Sequence, residues 1–241
     1  MNELVHSSAR RKPAAPAAAA KSSTSPKSGK AAKTAPARTN DPARTMAEIL
    51  KVATAEFSAK GLSGARIDAI AEATRTSKRM IYYYFGNKEG LYLAVLEASY
   101  RSMRQIESEL HLQDLAPEQA LRTLVEFTFD HHSSNEDYIR LVMNENMERG
   151  AYLAQSKTIR ELNVPAIQAI AQLYARGVNE GVFRPGLDPV DIHASISALT
   201  FFNVSNQHTF GLIFKGRGKR AEAATLRRAS ITEMVLRFVR A

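Results

Sequence analysis

From residue 49 to the end, apolar side chains recur every three to five positions, and no stretch alternates with the period of two that a half-buried strand requires. That periodicity confines the chain to an all-α fold. Ile49, Val52, Ala53, Phe57 and Leu62 give a first helix one apolar stripe, and Gly61 stands where a glycine would end it. Ile67, Ile70, Ala71 and Thr74 predict a short second helix. Ser77 is a natural N-cap for a third over 78–85, with Gly86 closing it. Asn87 can cap a long fourth helix running to about Leu110. Five further helical stretches are predicted at about 117–132, 136–148, 152–180, 188–208 and 220–240, with Pro117 and Asp188-Pro189 as starts. Pro165 should kink or restart the third of these. Gly177, Gly181 and Gly186 with Pro185 mark the turn that follows it.

Charge is spread unevenly over this pattern. Residues 1–40 hold eight Lys/Arg against Glu3, so most of the formal net charge of +9 lies there, leaving 25 basic against 23 acidic residues in the remainder. The same stretch is Ala, Lys, Pro, Ser and Thr with almost no large apolar side chains, too little burial to offset chain entropy. It reads as a disordered basic tail, either an arm that attracts phosphates or a solubilising extension without a role. Cysteine is absent, which excludes disulfides, thiolate metal sites and a cysteine nucleophile. No run of about 18 apolar residues predicts a membrane span, and no signal-peptide core is visible, so the expected location is the cytoplasm.

The chemistry concentrates in residues 66–88. Two short helices joined by a tight turn, the second opening with polar and basic residues, suit reading of the DNA major groove. Arg75, Lys78, Arg79 and Lys88 fall within 75–88, which contains no acid. Tyr82, Tyr83 and Tyr84 offer hydroxyls to phosphates and rings to thymine methyls. The same pattern also describes a solvated helix face with partly buried tyrosines, and Ile81 and Phe85, four apart, must pack inward.

Ile67-x-x-Ile70-Ala71 followed by Ser77-Lys78-x-x-Ile81-Tyr82-x-Tyr84-Phe85-x-Asn87-Lys88-Glu89-x-Leu91 resembles the DNA-binding domain of the tetracycline-repressor (TetR) family over residues 45–91. The resemblance implies a helix-turn-helix head over 41–90, a connector helix, and a helical ligand-binding and dimerisation domain over 91–241. It implies a regulator, most often a repressor, released from a pseudo-palindromic double-stranded operator by a small-molecule effector. By position, it puts Lys78, Arg79 and Tyr83 against bases and Tyr82, Tyr84 and Lys88 against phosphates. Arg66 opens helix 2 at a further phosphate contact, and Ser77 completes the DNA-binding set. Two positions depart from the family: Arg75 replaces a frequent glycine, so a left-handed or strained residue is expected in the turn, and Ala65 leaves the cap of helix 2 to Ser63 or to solvent.

Residues 91–241 are close to neutral, which suits a dimer module with a pocket better than a second nucleic-acid surface. Polar and aromatic residues on apolar faces nominate Phe127, His131, Tyr138, Asn144, Tyr174, Phe202, Asn203 and Asn206 as ligand contacts, with Leu199, Phe202, Asn203 and Asn206 on one stripe. Core packing or interface bonding explains the same residues. His131 and His132 point about 100° apart on a helix and lack the i, i+4 spacing of zinc helices, so no metal is expected. Glu145 and Arg149 read as a helix-surface pair. Homodimerisation through the last two helices is implied by the family, and the apolar stripe Leu226, Ile231, Met234, Val235, Phe238 is too extensive for an exposed terminal helix. No phosphate-cradling loop, nucleophile elbow or metal helix motif supports an enzyme, and no cofactor is expected. An architectural protein binding DNA through its tail is the third class, separable by deleting residues 1–40.

Overall fold

Helix punctuation places the first elements. The computed structural model describes residues 41–214 and 220–241; the reading of 1–40 as a disordered tail lies outside them. α1 (Pro42–Gly64) starts where Asp41 accepts hydrogen bonds from the Ala43 and Arg44 amides, and its regular part ends at Gly61, which takes φ 66°. α2 (Ile67–Thr74) and α3 (Lys78–Phe85) flank a turn in which Arg75 is left-handed, φ 52° and ψ 34°, as the missing glycine led us to expect. The Ser77 hydroxyl accepts from the Met80 amide at 3.2 Å. α2 has no side-chain cap; the Arg66 amide at its start donates to Glu56 Oε1 at 3.0 Å. α4 (Lys88–Ser108) is capped by Asn87, which accepts from the Gly90 amide at 2.6 Å. A Cβ on Gly90 would lie 2.1 Å from the Phe85 carbonyl oxygen, so only glycine lets α3 and α4 meet this closely.

The body continues with α5 (Pro117–Ser134), α6 (Glu136–Met147), α7 (Lys157–Asn179), α8 (Pro189–Ser205), α9 (Gln207–Ile213) and α10 (Arg220–Val239). Two boundaries differ from expectation, and α7 runs through Pro165 as one helix. α7 begins at Lys157 rather than 152, because Arg149 and Gly150 are both left-handed and residues 153–155 form a 3-10 turn before Ser156 caps the helix. α7 neither restarts nor breaks at Pro165, which lies on its exposed face, where water can satisfy the carbonyl that loses a donor. The stretch 188–208 ends at Ser205, and a separate short helix, α9, follows. Among the described residues there is no strand, only one isolated bridge between Phe183 and Arg240.

Two hydrophobic cores organise the helices. One joins α5, α7, α8 and α10 around Leu121, Phe129, Ile170, Ile196 and Val235. The other is built by Ile49, Phe57, Ile70, Ile81, Leu91 and Tyr92, and it continues into Leu141 of α6 and Ile159 of α7. Phe57 meets Tyr92 edge to face at 5.1 Å. Truncating so fully buried an aromatic to alanine costs about 3–5 kcal/mol. α1 therefore packs on both α4 and α6, and the N-terminal helices are anchored to the body by shared apolar burial.

Candidate nucleic-acid interface and buried cavity

α3 divides cleanly by face. Ile81 is fully buried, while Lys78, Arg79 and Tyr82 are exposed and Tyr83 is 77% exposed. Tyr84 is half-buried, with its ring against Tyr83 at 5.4 Å and Phe85 at 6.3 Å. Arg66 and Ser77 are exposed at the starts of α2 and α3. Lys88 is half-buried and its Nζ donates to the Ser63 carbonyl at 3.3 Å, tying α4 to the α1–α2 loop. Lys78 Nζ is 2.5 Å from Asp68 Oδ1. That acid precedes the acid-free stretch in sequence, but the turn brings it alongside.

A cavity of about 680 Å³ lies between α4, α5, α6, α7 and α8. Apolar and aromatic side chains supply most of its wall, among them Met103, Tyr100, Tyr138, Val142, Ile167 and Phe201. Its polar groups are Arg104, His132, Asn163, His193, Ser197 and, at exposed positions, Arg160 and Gln168. Arg104 Nε donates to Asn163 Oδ1 at 3.0 Å, and its Nη1 pairs with Glu107. Burial pushes the Glu107 carboxyl up against the opposing pull of Arg104. His132 is 3% exposed; burial, helped by His131, Arg104 and His193, holds its pKa down to about 4. Burial and Arg104 lower His131 and His193 as well, so these three imidazoles are neutral at pH 7. The Nδ1 atoms of His131 and His132 have no hydrogen-bond partner. Tyr138 shares a hydrogen bond with Tyr100, and burial raises its phenol. A second cleft of about 530 Å³ opens between α1, α4 and the α5–α6 junction, and Tyr138 lines this one too.

Of the eight ligand candidates taken from the sequence, Tyr138 alone lines the larger cavity. His131 lines the cleft beside it, and Phe127 packs 5.7 Å from the His131 ring. Asn144 ties α6 to α1, its Nδ2 donating to the Phe57 carbonyl at 3.2 Å. Tyr174 pins the α7–α8 loop, its hydroxyl donating to the Arg184 carbonyl and accepting from the Leu187 amide. Phe202, Asn203 and Asn206 meet at another surface cleft with Phe210 and Arg227. The α8 residues in the cavity are instead His193, Ser197 and Phe201, spaced four apart on the adjoining face. Glu145 and Arg149 do not form a surface pair: Glu145 is 2% exposed and accepts from the Leu153 amide at 2.8 Å, and Arg149 turns left-handed beyond the helix. Among the described residues no three His, Asp or Glu side chains converge as a metal site would require, and no helix is long and apolar enough to cross a membrane.

Comparison with known proteins fits this geometry. Residues 49–95 match the bacterial regulatory proteins of the tetR family, and residues 117–235 match the tetracyclin repressor-like C-terminal domain. The chain is 35% identical over 199 residues to the HTH-type transcriptional repressor NicS of Pseudomonas putida, covering 82% of this chain and 93% of that one. It is 33% identical over 139 residues to the HTH-type transcriptional repressor SCO4008 of Streptomyces coelicolor, covering 57% and 69%. The crystal structure of the transcriptional regulator SCO4942 from Streptomyces coelicolor superposes with a TM-score of 0.62 at 26% identity, covering 81% and 98%. The chain belongs to the tetR family of helix-turn-helix transcriptional regulators, a class that binds operator DNA and is not enzymatic.

Proposed function

We propose that this protein is a cytoplasmic, homodimeric repressor that leaves a pseudo-palindromic operator when a small molecule enters the cavity between α4 and α8. Residues 41–90 act as the reading head and 91–241 as the effector-binding and dimerising body. The observation that carries the reading is the direct linkage of the two: Ser58 on α1 donates to Asp137 on α6 at 2.7 Å, next to Tyr138 of the cavity wall. In the head, Lys78, Arg79 and Tyr83 on the exposed face of α3 reach base edges. Arg66, Ser77, Tyr82, Tyr84 and Lys88 hold the backbone, and Lys78 leaves Asp68 when it meets DNA. An effector seated against Tyr138 and Arg104 favours one placement of α4 and α6 over another. Because α1 is bonded and packed to both helices, the head follows, and DNA affinity falls by the effector's differential affinity for the two states.

Dimerisation runs through α8 and α10, with α9 added. Leu226 and Met234 of the α10 stripe are 72% and 40% exposed, whereas Ile231 and Val235 fill the body's core. On α9 and just beyond, Leu212, Ile213 and Phe214 are more than half exposed, forming with Phe202 a patch that a second copy would cover. Sedimentation of the wild type and of Leu226→Asp with Ile213→Asp tests this part: a dimer that becomes a monomer supports it, and an unchanged mass removes it. For the whole reading, labelled promoter fragments should be retained at physiological salt over competitor DNA and released by a single metabolite. Binding without sequence preference contradicts it.

A further inference from the structure

The cavity also carries a charge pattern that narrows its occupant. Both charged residues lining it, Arg104 and Arg160, are cationic, and no carboxylate lines it. Arg104 is the deeper of the two, its side chain 9% exposed. Asn163 takes its Nε and Glu107 its Nη1, and among the described residues Nη2 has no hydrogen-bond partner. Guanidinium donors at the edge of an apolar void call for an acceptor, and a carboxylate matches their fork geometry. A dianion would be poorly served, because Glu107 already offsets much of the one buried positive charge and the surrounding imidazoles of His131, His132 and His193 are neutral.

We propose that the effector is an apolar monocarboxylate whose carboxylate docks on Arg104, with its hydrocarbon or ring body among Tyr138, Val142, Ile167 and Phe201. The assignment rests on the reading of this cavity as the effector site. Glu107 is a positioning residue: it orients the guanidinium and competes with the ligand's charge, so neutralising it strengthens carboxylate binding.

Calorimetry of the full chain with matched probes tests the assignment. 2-Naphthoate is compared with 2-naphthamide, octanoate with octanamide, and 2-naphthylmethylamine serves as the cation. In the wild type the carboxylate of at least one pair should bind about tenfold tighter than its amide. Glu107→Gln should tighten that carboxylate about threefold or more and leave the amide unchanged. The double variant Arg104→Gln, Glu107→Gln removes both charges without orphaning either, and it should bring carboxylate and amide within about twofold while melting cooperatively. Equal binding of amide and carboxylate in the wild type, or a preference that survives the double variant, overturns the proposal. If the amide or the amine binds instead and releases promoter DNA, the cavity remains an effector site and the carboxylate assignment alone falls. If no probe of any charge binds at about 5 mM, both fall.

Discussion

The reading head and the cavity are built by opposite rules. In the head, the side chains assigned to DNA lie within residues 66–88, on α3, at the starts of α2 and α3 and at the start of α4, and stand exposed or half-buried. In the cavity, the lining groups come from five helices and span residues 100–201; Met103, His132 and Ile159 are buried and most of the others are half-buried. The head presents groups that are already hydrated and that, in the proposed reading, would exchange water for phosphate and base. The body holds a guanidinium and neutral imidazoles at a desolvation cost that only the packed fold sustains. A surface of the first kind tolerates truncation with little loss of stability, whereas at a site of the second kind removing one member of a buried pair costs stability.

The largest effect that separates the two regions is on the head. Lys78→Ala with Tyr83→Ala should lower operator affinity about 100-fold or more, since base contacts are worth about 1–3 kcal/mol each. The melting temperature should barely move, because both side chains are exposed. Fluorescence anisotropy and thermal melts read the two quantities; a large fall in melting temperature would contradict the division.

The next effect belongs to the body. His132 binds its proton near pH 4 when folded against 6.5 as a free group. Between those values the unfolded chain carries more protons, so stability rises with pH through this window and falls on acidification. From pH 7 to 5 the loss from this residue is about 2 kcal/mol. Urea titrations at both pH values should show it, and His132→Phe, which keeps a ring against Tyr138 and Phe201, should remove that part of the loss. No change in pH sensitivity would contradict the buried, neutral assignment.

A smaller effect sits on the joint between the regions. Asn144→Leu deletes the hydrogen bond to the Phe57 carbonyl and should cost about 1 kcal/mol in stability. It should also narrow the gap between effector-free and effector-bound operator affinity. An unchanged gap would place the coupling on other contacts, such as Ser58 with Asp137. The smallest effect is in the turn: Arg75→Gly relieves a left-handed conformation and should raise stability by less than about 1 kcal/mol.

The same contrast explains what could be read from the sequence. Ser77 and Asn87 as caps and Gly61 and Gly86 as closures follow from short-range backbone requirements, and each stands where the pattern put it; the left-handed Arg75 follows from the family resemblance, which has a frequent glycine there. The cavity depends on which face of each helix turns inward, and on α8 two adjoining faces both mix apolar and polar residues. Leu199, Phe202, Asn203 and Asn206 form one, and His193, Ser197 and Phe201 the other; a rotation of about 100° separates neighbouring residues, and only tertiary packing chooses. Tyr100 and Arg104, four apart on the connector helix, carried a similar signal hidden behind that helix's role as a link. Lys78 with Asp68 and Glu145 with Leu153 are partners that no local window contains.

The central claim is sequence-specific reading by α3 in a dimer. Selection of bound fragments from sheared genomic DNA by the full chain, followed by sequencing, tests it most directly. A short inverted repeat whose half-sites sit about one helical turn apart, or a small multiple of that, should be enriched, and the enrichment should be lost in the Lys78→Ala, Tyr83→Ala variant. Enrichment without any repeat, or a repeat that the variant still selects, would contradict it.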